Sequence, residues 1–216
     1  MSSFVLKVMA CIFMLIDHIG ISFFPKISIL RAIGRLAFPI FAFQASVGFD
    51  KTSHKEKYII RMIIFTIISQ IPFYFLRKVS LVKPAPLLNI GATLTLGLLA
   101  LYCLDRIKKP WLKFISIGFI ILLSIIVPME YKWYGVLMII SFYYFRKEKY
   151  GITIFYSILV ISFCYISNST FNLPALAALI PILLYNGKKG NKSKYFFYAF
   201  YPLHMLALAL IKICLN

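Results

Sequence analysis

Long apolar runs alternate along the whole chain with short polar stretches rich in Lys and Arg. The runs fall at 4–24, 28–49, 58–76, 87–104, 111–128, 133–145, 152–167, 173–186 and 195–214. Several reach roughly 18 to 22 residues, enough for an α-helix rising 1.5 Å per residue to cross a hydrocarbon core about 30 Å thick. The pattern predicts an all-α fold, a polytopic transmembrane helix bundle of about nine membrane segments (eight to ten). The sixth and eighth runs are short, and Pro174 and Pro181 break the eighth. Those two are expected to be tilted, re-entrant or shielded by neighbouring helices. No repeat, low-complexity tract or linker divides the sequence, so 1–216 reads as one integral membrane domain. The first run is long, ends without a small-x-small cleavage site and contains Asp17 and His18, which argues for a retained helix over a cleaved signal.

Composition strengthens this reading. Hydrophobic residues make up 62% of the chain and charged ones 14%, against about 25% charged in a soluble domain. Net charge is +18, from 24 Lys and Arg against 6 Asp and Glu. Those cations sit in short loops between apolar runs, so they are read as topology determinants and contacts for anionic lipids; no nucleic-acid partner is expected. One set of loops holds Lys51, Lys55 and Lys57, then Arg106, Lys108 and Lys109, then Arg146, Lys147 and Lys149, then Lys188, Lys189, Lys192 and Lys194. The alternate set holds Lys26, then Arg77, Lys78 and Lys83, then Lys132. The richer set is assigned to the cytoplasm, which puts the N-terminus inside and the C-terminus outside. The basic Arg77–Lys83 loop sits against that rule. Cys11, Cys103, Cys164 and Cys214 are scattered, so neither disulfides nor a metal site is expected.

Ionisable and polar residues within apolar runs are rare and point to a functional site by default. They are Asp17 and His18 in the first run, Arg35 in the second, Gln70 in the third, Asn89 opening the fourth and His204 in the last. Loop charges alone place all six between mid-membrane and the outer leaflet. Arg35 could snorkel to the interface, and Gln70 and Asn89 could be interhelical hydrogen-bond glue. Asp17 needs a cation or several donors to be buried, and is expected to pair with Arg35 or His204. Adjacent helical residues diverge by about 100°, so His18 is left free to act as a base. Lys7 precedes His18 by eleven positions, roughly 16 Å along a helix. That gap suits a coenzyme A with its phosphates at the basic surface and its thioester at the imidazole, although Lys7 also reads as a plain positive-inside anchor. Gly34, Ala37 and Gly48, with Gly91 and Gly97, suit close helix packing.

The blocks Met14-Leu15-Ile16-Asp17-His18-Ile19-Gly20, Arg35-Leu36-Ala37-Phe38-Pro39, Ser69-Gln70-Ile71-Pro72-Phe73, Leu88-Asn89-Ile90, Trp133-Tyr134-Gly135 and Tyr198-Ala199-Phe200-Tyr201-Pro202-Leu203-His204 together resemble the TraX family of conjugal-transfer proteins. The resemblance covers nearly the whole chain. It implies pilin-acetylation-like chemistry in a bacterial-type cell membrane and kinship with integral-membrane acyltransferases. Many of those carry a basic residue, ten intervening positions and a histidine in an early helix, matched here by Lys7 and His18. They also carry a Tyr-x-x-His near the C-terminus, matched by Tyr201 and His204. Lys7 stands where Arg is commoner, giving a point charge in place of a fork.

The leading expectation is therefore an acetyl-CoA-dependent acyltransferase that moves an acetyl or acyl group from cytoplasmic acyl-CoA to an amine or hydroxyl outside, on a peptide N-terminus or a cell-surface glycan. His18 and Asp17 would be catalytic; Arg35, Gln70, Asn89, Tyr201 and His204 would hold substrate or the oxyanion; Lys7 would bind coenzyme A phosphates. No bound cofactor is expected beyond the acyl-CoA donor. A transporter or channel using the same polar cluster is the alternative, and a non-catalytic membrane partner the third reading.

Overall fold

The computed structural model describes residues 1–80, 86–191 and 194–215. Lys83 and Lys192 lie outside the described residues. Helix α1 spans Ser3–Phe23, α2 Ser28–Gly34, α3 Ala37–Lys51, α4 Lys55–Val79 and α5 Ile90–Arg106. Then come α6 Pro110–Ile126, α7 Lys132–Phe145 and α8 Lys149–Ile166. A 3-10 helix, Thr170–Ala178, runs into α9, Leu179–Leu183, and α10 covers Lys194–Cys214. Seven of the nine apolar runs coincide with a single helix each, and the second and eighth are each divided between two elements. The result is an all-α helical membrane bundle. Among the described residues, five spans are long and apolar enough to cross a membrane: Ser3–Phe23, Ser28–Lys51, Lys55–Val79, Lys149–Ile166 and Tyr195–Cys214.

Two runs depart from regular α-helix, and proline explains both. The second run was expected to be one helix but turns at Arg35 and Leu36, between α2 and α3. Pro39 has no N–H to offer the Arg35 carbonyl, and its ring crowds that carbonyl, so the helix breaks there. The eighth run, with Pro174 and Pro181, begins as nine residues of 3-10 helix. At about 2 Å per residue that form stretches further than an α-helix of equal length. Pro72 in α4 and Pro202 in α10 are carried inside continuous helices.

The polar connections gather at two ends. At one end, ion pairs tie the α3–α4, α5–α6 and α7–α8 connections, and Lys51 donates to the Tyr185 hydroxyl and the Gly187 carbonyl of the α9–α10 connection. Lys55 meets Asp105 at 2.8 Å, Arg106 meets Glu56 at 3.0 Å and Arg146 meets Asp50 at 2.6 Å. The start of α1 joins this end: Ser3 and Phe4 donate backbone N–H groups to the Lys188 and Lys189 carbonyls at 2.9 and 3.1 Å. Gly190 permits that approach, with φ of 73° and an ideal Cβ only 2.7 Å from Ser2 Oγ. At the other end, Leu87 and Leu88 donate to the Pro128 carbonyl at 2.7 and 3.0 Å. The core between the ends is apolar, built on buried Phe38, Phe43, Leu98, Met138, Tyr156 and Met205. All four cysteines are free.

Candidate functional site

The first charged group sits between α1 and α2. Asp17 accepts from Arg31 Nη1 at 3.0 Å and, through both carboxylate oxygens, from Arg35 Nη2 at 3.1 Å. Its side chain is 13% exposed. Gly34 makes the approach possible, because a Cβ there would lie 2.2 Å from Asp17 Oδ1 and 2.3 Å from Asp17 Cβ. The expected Arg35 partner is present, but the alternative partner, His204, is not on Asp17. Arg31, which the sequence reading passed over, completes the pair of cations. It precedes Arg35 by four residues and so shares its helical face, a spacing that could have flagged it.

His204 pairs instead with His18. His18 Nδ1 lies 2.7 Å from His204 Nε2, and His204 Nδ1 lies 2.7 Å from the Phe200 carbonyl. The carbonyl can only accept, so the proton on His204 belongs on Nδ1. His204 Nε2 is then an acceptor, and His18 donates from Nδ1. That assignment, inferred from the network, leaves His18 Nε2 as a free lone pair. The two rings are nearly coplanar, 12° apart with centroids at 4.9 Å. That separation is the 2.7 Å contact plus two ring radii, so they meet edge to edge and not face to face. Tyr201 stands beside both, its ring 6.3 Å from His18 and 5.9 Å from His204. Its buried hydroxyl has no well-formed hydrogen bond among the described residues.

A third group comes from residues treated only as loop chemistry by the sequence. Arg77 Nη2 lies 2.7 Å from Glu130 Oε1, with both side chains 17% exposed. Glu130 is in the α6–α7 connection, where burial raises its carboxyl above the usual range and Arg77 pulls against that shift. The Thr93 hydroxyl donates to the Glu130 carbonyl. The next two residues, Tyr131 and Lys132, have φ of 61° and 40°, a strained turn costing on the order of 1–3 kcal/mol per residue. Packing holds it: the Tyr131 ring stacks on Phe38 at 3.8 Å. Arg77 and His18 border the same cavity of about 10 Å³, together with Phe73, Leu76, Ser80 and Met205. That is space for about one water. Arg77 was one of the three basic charges, with Lys78 and Lys83, that ran against the topology rule, and its pairing with Glu130 accounts for that one. Glu130 had a signal too, being one of 6 acids in the chain.

Gln70 and Asn89 are brought together, but on each other. Gln70 Oε1 accepts from Asn89 N and Nδ2 at 3.1 and 2.9 Å, and Gln70 Nε2 donates to the Leu87 carbonyl at 2.8 Å. Asn89 Nδ2 also donates to the Thr66 carbonyl at 2.9 Å, and Asn89 Oδ1 caps α5 by accepting from Gly91 N at 2.8 Å. Both donors of the Asn89 amide are used, so the structure does not offer it to an oxyanion. Lys7 lies at the opposite end, its Nζ 5.6 Å from the Phe197 ring centroid and in electrostatic range of Lys189. No group of three or more potential metal ligands occurs among the described residues.

A helical membrane bundle with paired histidines and locked guanidinium–carboxylate pairs at one end defines a class of integral membrane proteins with an intramembrane polar centre. Residues 2–212 match the family model described as TraX protein, and the chain belongs to that family. It is 29% identical over 243 aligned positions to the probable fimbrial assembly protein FimC, serogroup H1, of Dichelobacter nodosus, across 100% of this chain and 97% of that protein. An uncharacterized protein RP591 of Rickettsia prowazekii (strain Madrid E) is 45% identical over 67 residues, covering 31% of this chain and 25% of that one. No solved structure matches.

Proposed function

We propose that this protein is a membrane-embedded acyltransferase that takes an acetyl or short acyl group from cytoplasmic acyl-CoA and transfers it to an amine or hydroxyl presented on the other side. The observation that carries the reading is the Phe200 carbonyl–His204–His18 relay, which leaves His18 Nε2 unprotonated on a residue that lines one cavity with Arg77. In the reaction, the acceptor nitrogen or oxygen gives its proton to His18 Nε2 as it attacks the thioester carbonyl. The tetrahedral oxyanion faces Arg77, a role the Asn89 amide does not fill because its two N–H donors are spent on Gln70 and Thr66. The C–S bond then breaks, and the imidazolium returns its proton to the departing coenzyme A thiolate. His204 is a positioning residue that fixes the tautomer of His18.

In this reading the end bearing Lys7, Lys51, Lys188 and Lys189 faces the cytoplasm and receives the coenzyme A phosphates, while the His18 end faces outward. The acceptor is a peptide amine or a glycan hydroxyl. The fimbrial-assembly description of the D. nodosus relative favours a surface-protein acceptor. A cavity of about 10 Å³ admits no thioester arm, so α1, α4 and α10 must part for the donor to enter. Anionic lipids would meet the loop cations.

The test is release of free coenzyme A from acetyl-CoA by purified protein in nanodiscs, with a panel of amines and alcohols. Wild type is expected to turn over, and His18→Ala to fall at least a hundredfold. Equal turnover by His18→Ala overturns the assignment. Solute flux in proteoliposomes without acyl-CoA turnover would instead make the protein a transporter.

A further inference from the structure

We infer that the outer centre binds an acceptor carrying a carboxylate, gripped by the free edges of Arg31 and Arg35. The inference rests on the acyltransfer reading and names the class of substrate for that site. The first observation is charge. Three guanidiniums, Arg31, Arg35 and Arg77, face two carboxylates, Asp17 and Glu130, and Glu130 lies in electrostatic range of both Arg35 and Asp17. The centre therefore carries one cation in excess where the side chains are only 13–18% exposed. A charge so placed is costly without a partner.

Donor geometry points the same way. A guanidinium has five N–H groups in one plane. Arg31 gives one of its nitrogens, Nη1, to Asp17, and Arg35 gives Nη2. Arg35 Nε is buried with no hydrogen-bond partner among the described residues. Both guanidiniums lie over the Phe171 ring of the 3-10 helix, Arg31 Cζ 5.5 Å and Arg35 Cζ 4.9 Å from its centroid, and Arg35 Cζ is also 5.9 Å from the Tyr131 centroid. An aromatic ring supplies no acceptor oxygen, so the N–H donors not given to Asp17 are left for an anion. The arrangement already closes on one planar two-oxygen anion, Asp17, and a second carboxylate would meet equivalent donors. A lipid phosphate is the other anion within reach of this end, and the test separates the two.

The probes are alanine against alaninamide for an amine acceptor, and lactate against lactamide for a hydroxyl acceptor. Each pair differs only in the carboxylate. The assays are acetyl transfer from acetyl-CoA and direct binding by calorimetry, using the full chain in nanodiscs of zwitterionic lipid. The carboxylate member is expected to have a KM and a Kd at least tenfold lower. Arg31→Gln should bring the pair to within about threefold by raising KM for the carboxylate, and Arg31→Lys should restore part of the preference. The comparison of ligands on wild type stands even if a variant misfolds. Equal binding of acid and amide overturns the inference, as does a preference abolished when phosphatidylglycerol is added and matched by a phosphate monoester. If acetyl-CoA is turned over in a His18-dependent way with no such preference, this inference alone fails. If no turnover occurs but carboxylates bind at Arg31, the acyltransfer reading fails and the anion site stands.

Discussion

Two polar clusters are buried in this bundle, and they differ in how completely they satisfy themselves. Between α4 and α5, Gln70 and Asn89 spend their amides on each other, on the Leu87 and Thr66 carbonyls and on the Gly91 amide. Between α1, α2, α4 and α10, the cluster of Asp17, His18, Arg31, Arg35, Arg77 and His204 leaves groups over. Arg35 Nε and the Tyr201 hydroxyl are buried without well-formed partners, and His18, whose Nε2 has no partner in the histidine relay, lines a cavity. In an apolar medium every unmet polar group costs free energy. A closed network is an answer to that cost; an open one implies something that arrives to close it.

Substitutions can break that contrast. The largest effect is expected at His18, where His18→Ala should lower acetyl transfer a hundredfold to ten-thousandfold with little change in thermal stability; a fall in stability alone would make His18 a packing residue. Asp17→Ala comes next. It strands two guanidiniums and should cost about 3 kcal/mol in the unfolding of detergent-solubilised protein. Gly34→Ala should resemble it, since the added methyl falls on the Asp17 side chain. Asn89→Ala removes a helix cap and should cost about 1 kcal/mol while leaving KM and kcat within about twofold. A strong loss of kcat there would mean that the amide pair opens during turnover. Lys7→Ala should have the smallest effect, raising KM for acetyl-CoA about fivefold at low salt, the order of one phosphate contact near a membrane surface. That effect should shrink at high ionic strength.

Much of the architecture could be read from the chain because apolar runs of membrane length leave little choice but helix. Asp17, His18, Arg35 and His204 stood out because charge is rare in such runs, and the structure gathers them at one end. Pairing was harder to read. Sequence separation says nothing about whether His204, 186 positions from His18, meets it or Asp17, since that depends on how α10 lies against α1. Arg77 and Glu130 were hidden by their position in connections, where a charge normally faces water. Gln70 and Asn89 looked like site residues because polar amides in a membrane can serve either purpose. Only the partner of each amide hydrogen separates the two uses. The helix break at Arg35 and Leu36 was foreseeable from Pro39, through the clash with the carbonyl four residues before it.

Acyl transfer as proposed requires coenzyme A to reach His18 from the lysine-rich end. The most direct measurement is a cryo-electron microscopy map of the full chain in nanodiscs with a non-hydrolysable acetyl-CoA analogue. The expected density has its phosphates beside Lys7 and Lys189 and its pantetheine arm running about 16 Å along α1, ending at the cavity between His18 and Arg77. Density for the analogue at any site that leaves His18 out of reach of the thioester position would contradict the account.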